Sequence, residues 1–370
     1  MRFEFATAQR ILFGAGTVRD LAPAAKTMGR RALVVTGRSP DRVRSHVQGL
    51  DAAWFTTSGE PTVDQVRAGV QHATTEACDL VIAIGGGSAI DAGKAIAVLL
   101  ANSGEPLDYL EVVGHGKPFE SPSLPFIAVP TTAGTGSEAT RNAVVASPQH
   151  HVKASLRSPS MLPRLAIVDP DLTLGLPQDV TASTGLDALT QLIEPYVCLR
   201  ANPITDMLCI DGIRLAKAHL RPAFHHGANL EARSAMSLAS LYSGMALANA
   251  GLGAVHGFAA PIGGMYQAPH GAVCAALLPH VIEVNLRALN ARTPQSQALG
   301  RYQQVLDLVQ GIDWIQETCR QLAIPPLRTY GIEPEHFPDI ASKAAQASSM
   351  KANPVSLTEG ELLEILQRAF

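Results

Sequence analysis

Charged residues make up only 16% of this 370-residue chain and aromatics only 5%. A chain so poor in charge and 46% hydrophobic reads as a well-buried globular protein that also hides surface in a homo-oligomer, a dimer or larger. The formal net charge of −3 offers no basic field for nucleic acid. No run of about 18 apolar residues occurs, so no membrane span is expected. The opening MRFEFATAQRILFG lacks the charged-then-apolar order of a secretory signal. Cysteine is also scarce. Cys78, Cys198, Cys209, Cys274 and Cys319 are odd in number, scattered and never spaced as CxxC. They read as buried free thiols in a reducing cytoplasm, not as disulfides or thiolate metal ligands. There is no internal repeat and no low-complexity tract.

What is present divides the chain in two, at a length that already favours two domains. In the first half, short apolar runs alternate with helical spacing. Strands are expected at Ile11–Phe13, Arg31–Thr36, around Trp54 and Phe55, at Asp79–Ile84, Pro125–Val129 and Ala166–Val168, with a helix over Val63–Cys78. Near-continuous apolar strands such as DLVIAI suit a parallel sheet covered on both faces, so residues 1–176 are expected to form a doubly wound α/β domain. From about Pro177 the strand pattern stops. Asp187–Val197, Ile210–Leu220, Leu230–Ala250, His270–Asn285, Tyr302–Leu322 and Glu359–Phe370 read as helices of an all-α domain, 177–370.

Three stretches carry chemistry. The strand ending at Ile84 runs into Gly85-Gly86-Gly87-Ser88 and then a helix with Asp91 and Lys94. Glycines admit a ligand close to the backbone, and the helix N-terminus offers free N–H groups to an anion. This is a pyrophosphate cradle in physical terms, although it is neither GxGxxG nor a Walker loop. The alternative is a tight turn with Ser88 as helix cap. A second polar loop, Thr131-Thr132-Ala133-Gly134-Thr135, follows the Pro125–Val129 strand, where ribose and phosphate contacts are made in such sheets.

The third constellation lies in the second half. His256 and His270 would stand about 21 Å apart on one straight helix. Pro261, Gly263 and Gly264 are expected to break that helix and let the second imidazole fold back, with a new helix starting after Pro269. In TASTGLDALTQ, Asp187 is placed near a helix start with Thr184 as cap, and Gln191 shares its face one turn on. One carboxylate and two imidazoles form a donor set suited to Zn²⁺ or Fe²⁺. The alternative is a pair of hydrogen-bonded core histidines and a carboxylate that merely stabilises its helix.

With GGGSAIDAGK, TTAGTGSEATRN, STGLDALTQLIEPY and GLGAVHGFAAPIGGMYQAPH in one order, the chain resembles the iron-containing (group III) alcohol dehydrogenases, from FGAGT to Asn353-Pro354. The resemblance implies the dehydroquinate synthase-like fold: an N-terminal Rossmann-like α/β domain, then an all-α C-terminal domain, with the active site in the cleft between them. It implies a metal-dependent, NAD(P)-linked interconversion of a small alcohol and its aldehyde or ketone. It implies that Gly86, Gly87 and Ser88 bind the cofactor pyrophosphate, that Asp91, Thr131, Thr132, Thr135 and Lys153 line the rest of that site, and that Asp187, His256 and His270 hold a divalent metal. Two positions depart from the family. A ligand His is replaced by Gln191, a weaker donor or a hydrogen-bonding neighbour, and a further His by Ala260. The remaining Asp-His-His set favours zinc over iron. Gly37 stands where an Asp selects NAD in this family. With Arg38 and Ser39 beside it, Gly37 leaves room for a 2′-phosphate, which favours NADP(H). The competing reading is a maleylacetate reductase-like enzyme with little metal dependence, for which Arg141, Lys153 and Lys351 are the available cations.

Overall fold

The computed structural model describes residues 2–150 and 152–370. By its packing the chain forms two units. One comprises Thr7–Thr132 and Gly136–Leu174; the other comprises residues 2–6, Ala133–Thr135 and Gly175–Phe370.

The first unit contains β1 (Ile11–Phe13), α1 (Leu21–Lys26), β2 (Arg31–Thr36), β3 (Asp51–Thr56), α2 (Val63–Thr75), β4 (Leu80–Gly85), α3 (Gly87–Leu100), α4 (Pro106–Tyr109), β5 (Phe126–Pro130), β6 (Asn142–Ser147), β7 (Val152–Arg157) and β8 (Leu165–Val168). Six strands form a parallel sheet in the order β1-β8-β5-β4-β2-β3. Period-two alternation explains why its central strands are apolar throughout. Leu33, Val35, Val81 and Ala83 enter the core beneath α2 and α3, whereas Val34, Leu80, Ile82 and Ile84 enter a separate core on the other face with Leu21 and Ala25 of α1. The antiparallel pair β6–β7 was not expected from the sequence. Its strands are half-buried, so they carry no continuous apolar run.

The second unit contains α5 (Gln178–Val197), α6 (Pro203–His225), α7 (Leu230–Asn249), α8 (Ala254–Met265), α9 (His270–Arg292), α10 (Gln297–Val309), α11 (Ile312–Gln321), α12 (Phe337–Gln346) and α13 (Glu359–Ala369). One core joins them, with Leu186, Leu189 and Ile193 of α5 among Val273, Leu277 and Val281 of α9. By length and composition α9 is apolar enough to cross a membrane, but 72% of its most apolar stretch is buried within the unit, as a core helix requires.

Three expectations about these helices are corrected. Pro261, Gly263 and Gly264 do not end a helix: α8 runs through them to Met265, and the chain turns at Tyr266, which is extended at φ −130° and ψ 153°. Fully buried Phe258 and Ile262 hold α8 in the core across the missing N–H. Asp187 does not lie near a helix start, because α5 already begins at Gln178; Thr184 is no cap but donates to the Val180 carbonyl. The stretch expected as one helix over Tyr302–Leu322 is two, separated by Gln310 and Gly311 at φ 67° and 97°.

Candidate metal centre and nucleotide cradle

Asp187 is 2% exposed in the middle of α5. One turn on, Gln191 donates from Nε2 to Asp187 Oδ2 at 3.0 Å, and its own Oε1 accepts from Ser243 Oγ at 3.4 Å. Asp187 Oδ1 is buried and has no hydrogen-bond partner. A buried carboxylate oxygen left bare is costly, so this atom calls for a cation or a proton.

Two imidazoles face it. His256, on α8, donates from Nδ1 to Glu194 Oε2 at 2.7 Å, while Glu194 Oε1 accepts the Val255 N–H at 2.7 Å. Glu194 lies two turns beyond Asp187 on the same face of α5. Its carboxylate holds the proton on Nδ1 and so turns Nε2 toward the site, 3.5 Å from Asp187 Oδ1. His270 opens α9, with Nε2 3.7 Å from the same oxygen. The close approach of α9 to α5 depends on Gly271, where a Cβ would stand 2.2 Å from the Ser183 carbonyl oxygen and 3.1 Å from Asp187 Cβ.

One turn after His270, Cys274 places Sγ 3.7 Å from His270 Nε2 and 3.8 Å from His256 Nε2. Donor atoms of Asp187, His256, His270 and Cys274 all lie within 4.8 Å of one another. Cys274 is the buried free thiol that the sequence suggests, but it stands among the imidazoles. Burial pushes its thiol up, yet His256 and His270 outweigh burial and hold it below its ordinary value. Burial likewise disfavours the Asp187 carboxylate, but His270 and His256 keep it below the usual range. The imidazoles move the other way. Burial lowers both, and Cys274 with Asp187 overcomes it, raising His270 to about 8 and His256 well above its ordinary value. In these directions the carboxylate and thiolate are balanced by protons on the two imidazoles. Glu194 and Cys274 were both missed from sequence; their signals are the seven-residue spacing from Asp187 and the four-residue spacing from His270.

In the α/β unit, β2 and β4 are neighbours from which the strand order proceeds in opposite directions, the switch point where such sheets bind ligands. Gly86 caps α3 in an extended conformation, and no side chain satisfies the helix N-terminus. Gly87 and Ser88 form its first turn, so Ser88 is not the cap. Thr131 donates its N–H to the Gly85 carbonyl at 2.9 Å, and a Cβ on Gly86 would touch Thr132 at 3.4 Å. Gly37, after β2, has nothing within 4 Å of where a Cβ would stand; Ser39 begins the turn beyond it.

The other residues expected at the cofactor lie elsewhere or are engaged. The Asp91 carboxylate accepts from Ser137 Oγ and from the Val144 N–H at 3.0 Å, beside Lys94 Nζ at 3.4 Å. Lys94 is fully buried and donates to Thr140 Oγ1 at 2.8 Å. Nearby Glu138 is buried too, and burial pushes its carboxyl up to about 7. Lys153, on β7, pairs with Glu60. Thr135 packs with the helical unit, next to Gly134, whose carbonyl accepts from Ser243 at 3.3 Å.

Comparison with known proteins agrees with this architecture. Residues 8–170 match the iron-containing alcohol dehydrogenase family, and residues 181–370 match the C-terminal domain of the Fe-containing alcohol dehydrogenase family. The chain is 35% identical to a 1,3-propanediol dehydrogenase of Citrobacter freundii, covering 100% of this chain and 99% of that one. It is 36% identical to alcohol dehydrogenase 4 of Saccharomyces cerevisiae over 97% of this chain and 96% of that one. The solved structure of a 1,3-propanediol oxidoreductase superposes with a TM-score of 0.90 at 32% identity, over 100% of both chains. With a parallel α/β unit, a helical unit and matches over its length, this chain belongs to the iron-containing alcohol dehydrogenase family of NAD(P)-linked alcohol and aldehyde oxidoreductases.

Proposed function

We propose that Asp187, His256 and His270 hold a divalent metal, zinc in preference to iron, and that the enzyme interconverts a short-chain alcohol and its aldehyde, as the names of its relatives indicate for them. The observation that carries the metal is Asp187 Oδ1, buried, unpartnered and faced by two imidazole Nε2 atoms. A metal held there supplies Lewis acidity to the substrate oxygen while hydride passes between the carbinol carbon and nicotinamide C4. Gln191 serves by holding Oδ2 so that Oδ1 faces the imidazoles. Residues 177–370 are the metal and substrate domain.

Residues 1–176 bind the dinucleotide. The backbone of Gly86, Gly87 and Ser88 cradles the pyrophosphate, and Thr131 and Thr132 flank it, with Thr135 farther along the same loop. Asp91 keeps β6 and the Ser137 turn in place behind the cradle. Lys153 remains a candidate contact for the cofactor, exchanging its partner Glu60 for it. The open space at Gly37 with Ser39 beyond it favours NADP(H). The low charge content supports a homo-oligomer, and five free cysteines support a reducing cytoplasm.

The test is metal analysis of the purified protein with a panel of short alcohols and aldehydes against both cofactors. His270→Ala is expected to lose bound metal and activity together. Full activity after chelation, with no metal detectable, would overturn the Lewis-acid reading in favour of a metal-independent reductase.

A further inference from the structure

The metal reading leaves one neighbour of the site unused. Cys274 is fully buried and shares a helix face with His270, one turn on. Its sulfur lies 3.7 and 3.8 Å from the two imidazole Nε2 atoms, which themselves lie 3.7 and 3.5 Å from Asp187 Oδ1. Around a tetrahedral zinc, with bonds of about 2.3 Å to sulfur and about 2.05 Å to nitrogen or oxygen, donors stand about 3.6 Å apart for S···N and about 3.4 Å for N···O. The two S···N and two N···O separations match those edges within a few tenths of an ångström, and all four donors lie within 4.8 Å of one another.

A neutral thiol has one proton for one imidazole nitrogen, and at 3.5 and 3.7 Å the imidazoles make only long contacts to Asp187 Oδ1, longer than a good hydrogen bond. Gln191 does not complete the set, since its Nε2 is turned to Asp187 Oδ2 and its Oε1 to Ser243.

We propose that Cys274 is the fourth protein donor, so that the centre is Asp187-His256-His270-Cys274, with Gln191 as the residue that positions Asp187. This rests on the metal reading above and extends it. On binding, the ion displaces the thiol proton to solvent and the sulfur lone pair forms the metal–sulfur bond; no electron is transferred. Carboxylate and thiolate together neutralise a divalent ion in a buried site. The thiolate also selects borderline and soft ions such as zinc and cobalt against magnesium or manganese.

The experiment uses the full-length protein, stripped by a chelator and reloaded with Co²⁺. Wild type is expected to bind one Co²⁺ per chain, with visible d–d absorption and a near-ultraviolet thiolate-to-cobalt charge-transfer band. Cys274→Ser and Cys274→Ala should keep the visible absorption and lose the charge-transfer band. Competition with a chromophoric chelator should show their zinc affinity falling by more than about tenfold, the loss that even a supporting residue produces. Two variants, with apo-protein melting curves, guard against a folding defect in either. Visible bands without charge transfer in wild type, or an unchanged charge-transfer band in both variants, would overturn the Cys274 assignment and leave the three-donor centre standing. No Co²⁺ bound by wild type would remove both.

Discussion

Gln191 lies one helical turn beyond Asp187 and donates its amide hydrogen to Oδ2 at 3.0 Å, so one oxygen of the carboxylate is held and the other is aimed at the imidazoles. Gln191→His replaces that donor with an imidazole on the same face. We expect tighter metal binding, on the order of tenfold, and a shift in preference towards Fe²⁺, because imidazole is the better donor to a borderline ion. Competitive loading with equimolar Zn²⁺ and Fe²⁺ under anaerobic conditions, followed by elemental analysis, measures both. An unchanged ratio and affinity would show that position 191 does not reach the ion.

Glu194 accepts from His256 Nδ1 at 2.7 Å and, with its other oxygen, from the Val255 N–H at 2.7 Å. Glu194→Gln keeps the shape but removes the charge that orients and strengthens the imidazole as a donor. Zinc affinity is expected to fall about 10–100-fold, the usual loss for such a partner. The melting temperature of the metal-free protein should change little by comparison. Equal losses in the loaded and metal-free forms would make Glu194 a packing residue.

The space at Gly37 predicts a cofactor switch. In Gly37→Asp a carboxylate would face the adenosine ribose, repelling a 2′-phosphate and accepting from a 2′-hydroxyl. The ratio of kcat/KM for NADPH over that for NADH is expected to fall on the order of a hundredfold, about 2.7 kcal/mol of like-charge cost. An unmoved ratio would show that the 2′ position lies elsewhere.

Glu138 predicts a pH dependence of stability. Burial raises its folded pKa to about 7 from an ordinary value of 4.5, so the folded state binds the proton more tightly than the unfolded chain. The penalty for ionising it is fully present above about pH 7 and is relieved as pH falls towards 4.5. Glu138→Gln removes that term. The variant should be more stable than wild type at pH 8, by on the order of 2 kcal/mol, with the gap closing towards pH 5. Melting temperatures of both proteins across that range test the sign; a constant gap would rule out titration at Glu138.

The sheet was legible because a strand covered on both faces has no polar positions to obscure it, as in Leu80–Gly85, where every residue is buried. The pair β6–β7 carries no such run, and its half-buried residues do not stand out from a loop. Pro261 was misread for a different reason: local propensity argues for a break, and only tertiary contacts of Phe258 and Ile262 show why the helix continues. The candidate cluster was legible in part. Asp187, His256 and His270 could be named by residue type and by the family resemblance. Glu194 and Cys274 become visible only once α5 and α9 have known boundaries, since a spacing of seven or four means a shared face only within one uninterrupted helix.

The close pass of α9 over α5 at Gly271 acts as a gauge. A methyl group there would meet the Ser183 carbonyl oxygen at 2.2 Å, and relieving that clash means moving the helices apart by about 1 Å. Metal–donor bonds tolerate about 0.2 Å. Under the proposed metal reading, the spacing between Asp187 and His270, and with it the size of ion they could hold, would be set by a side chain that Gly271 lacks, at a residue that touches no ligand atom.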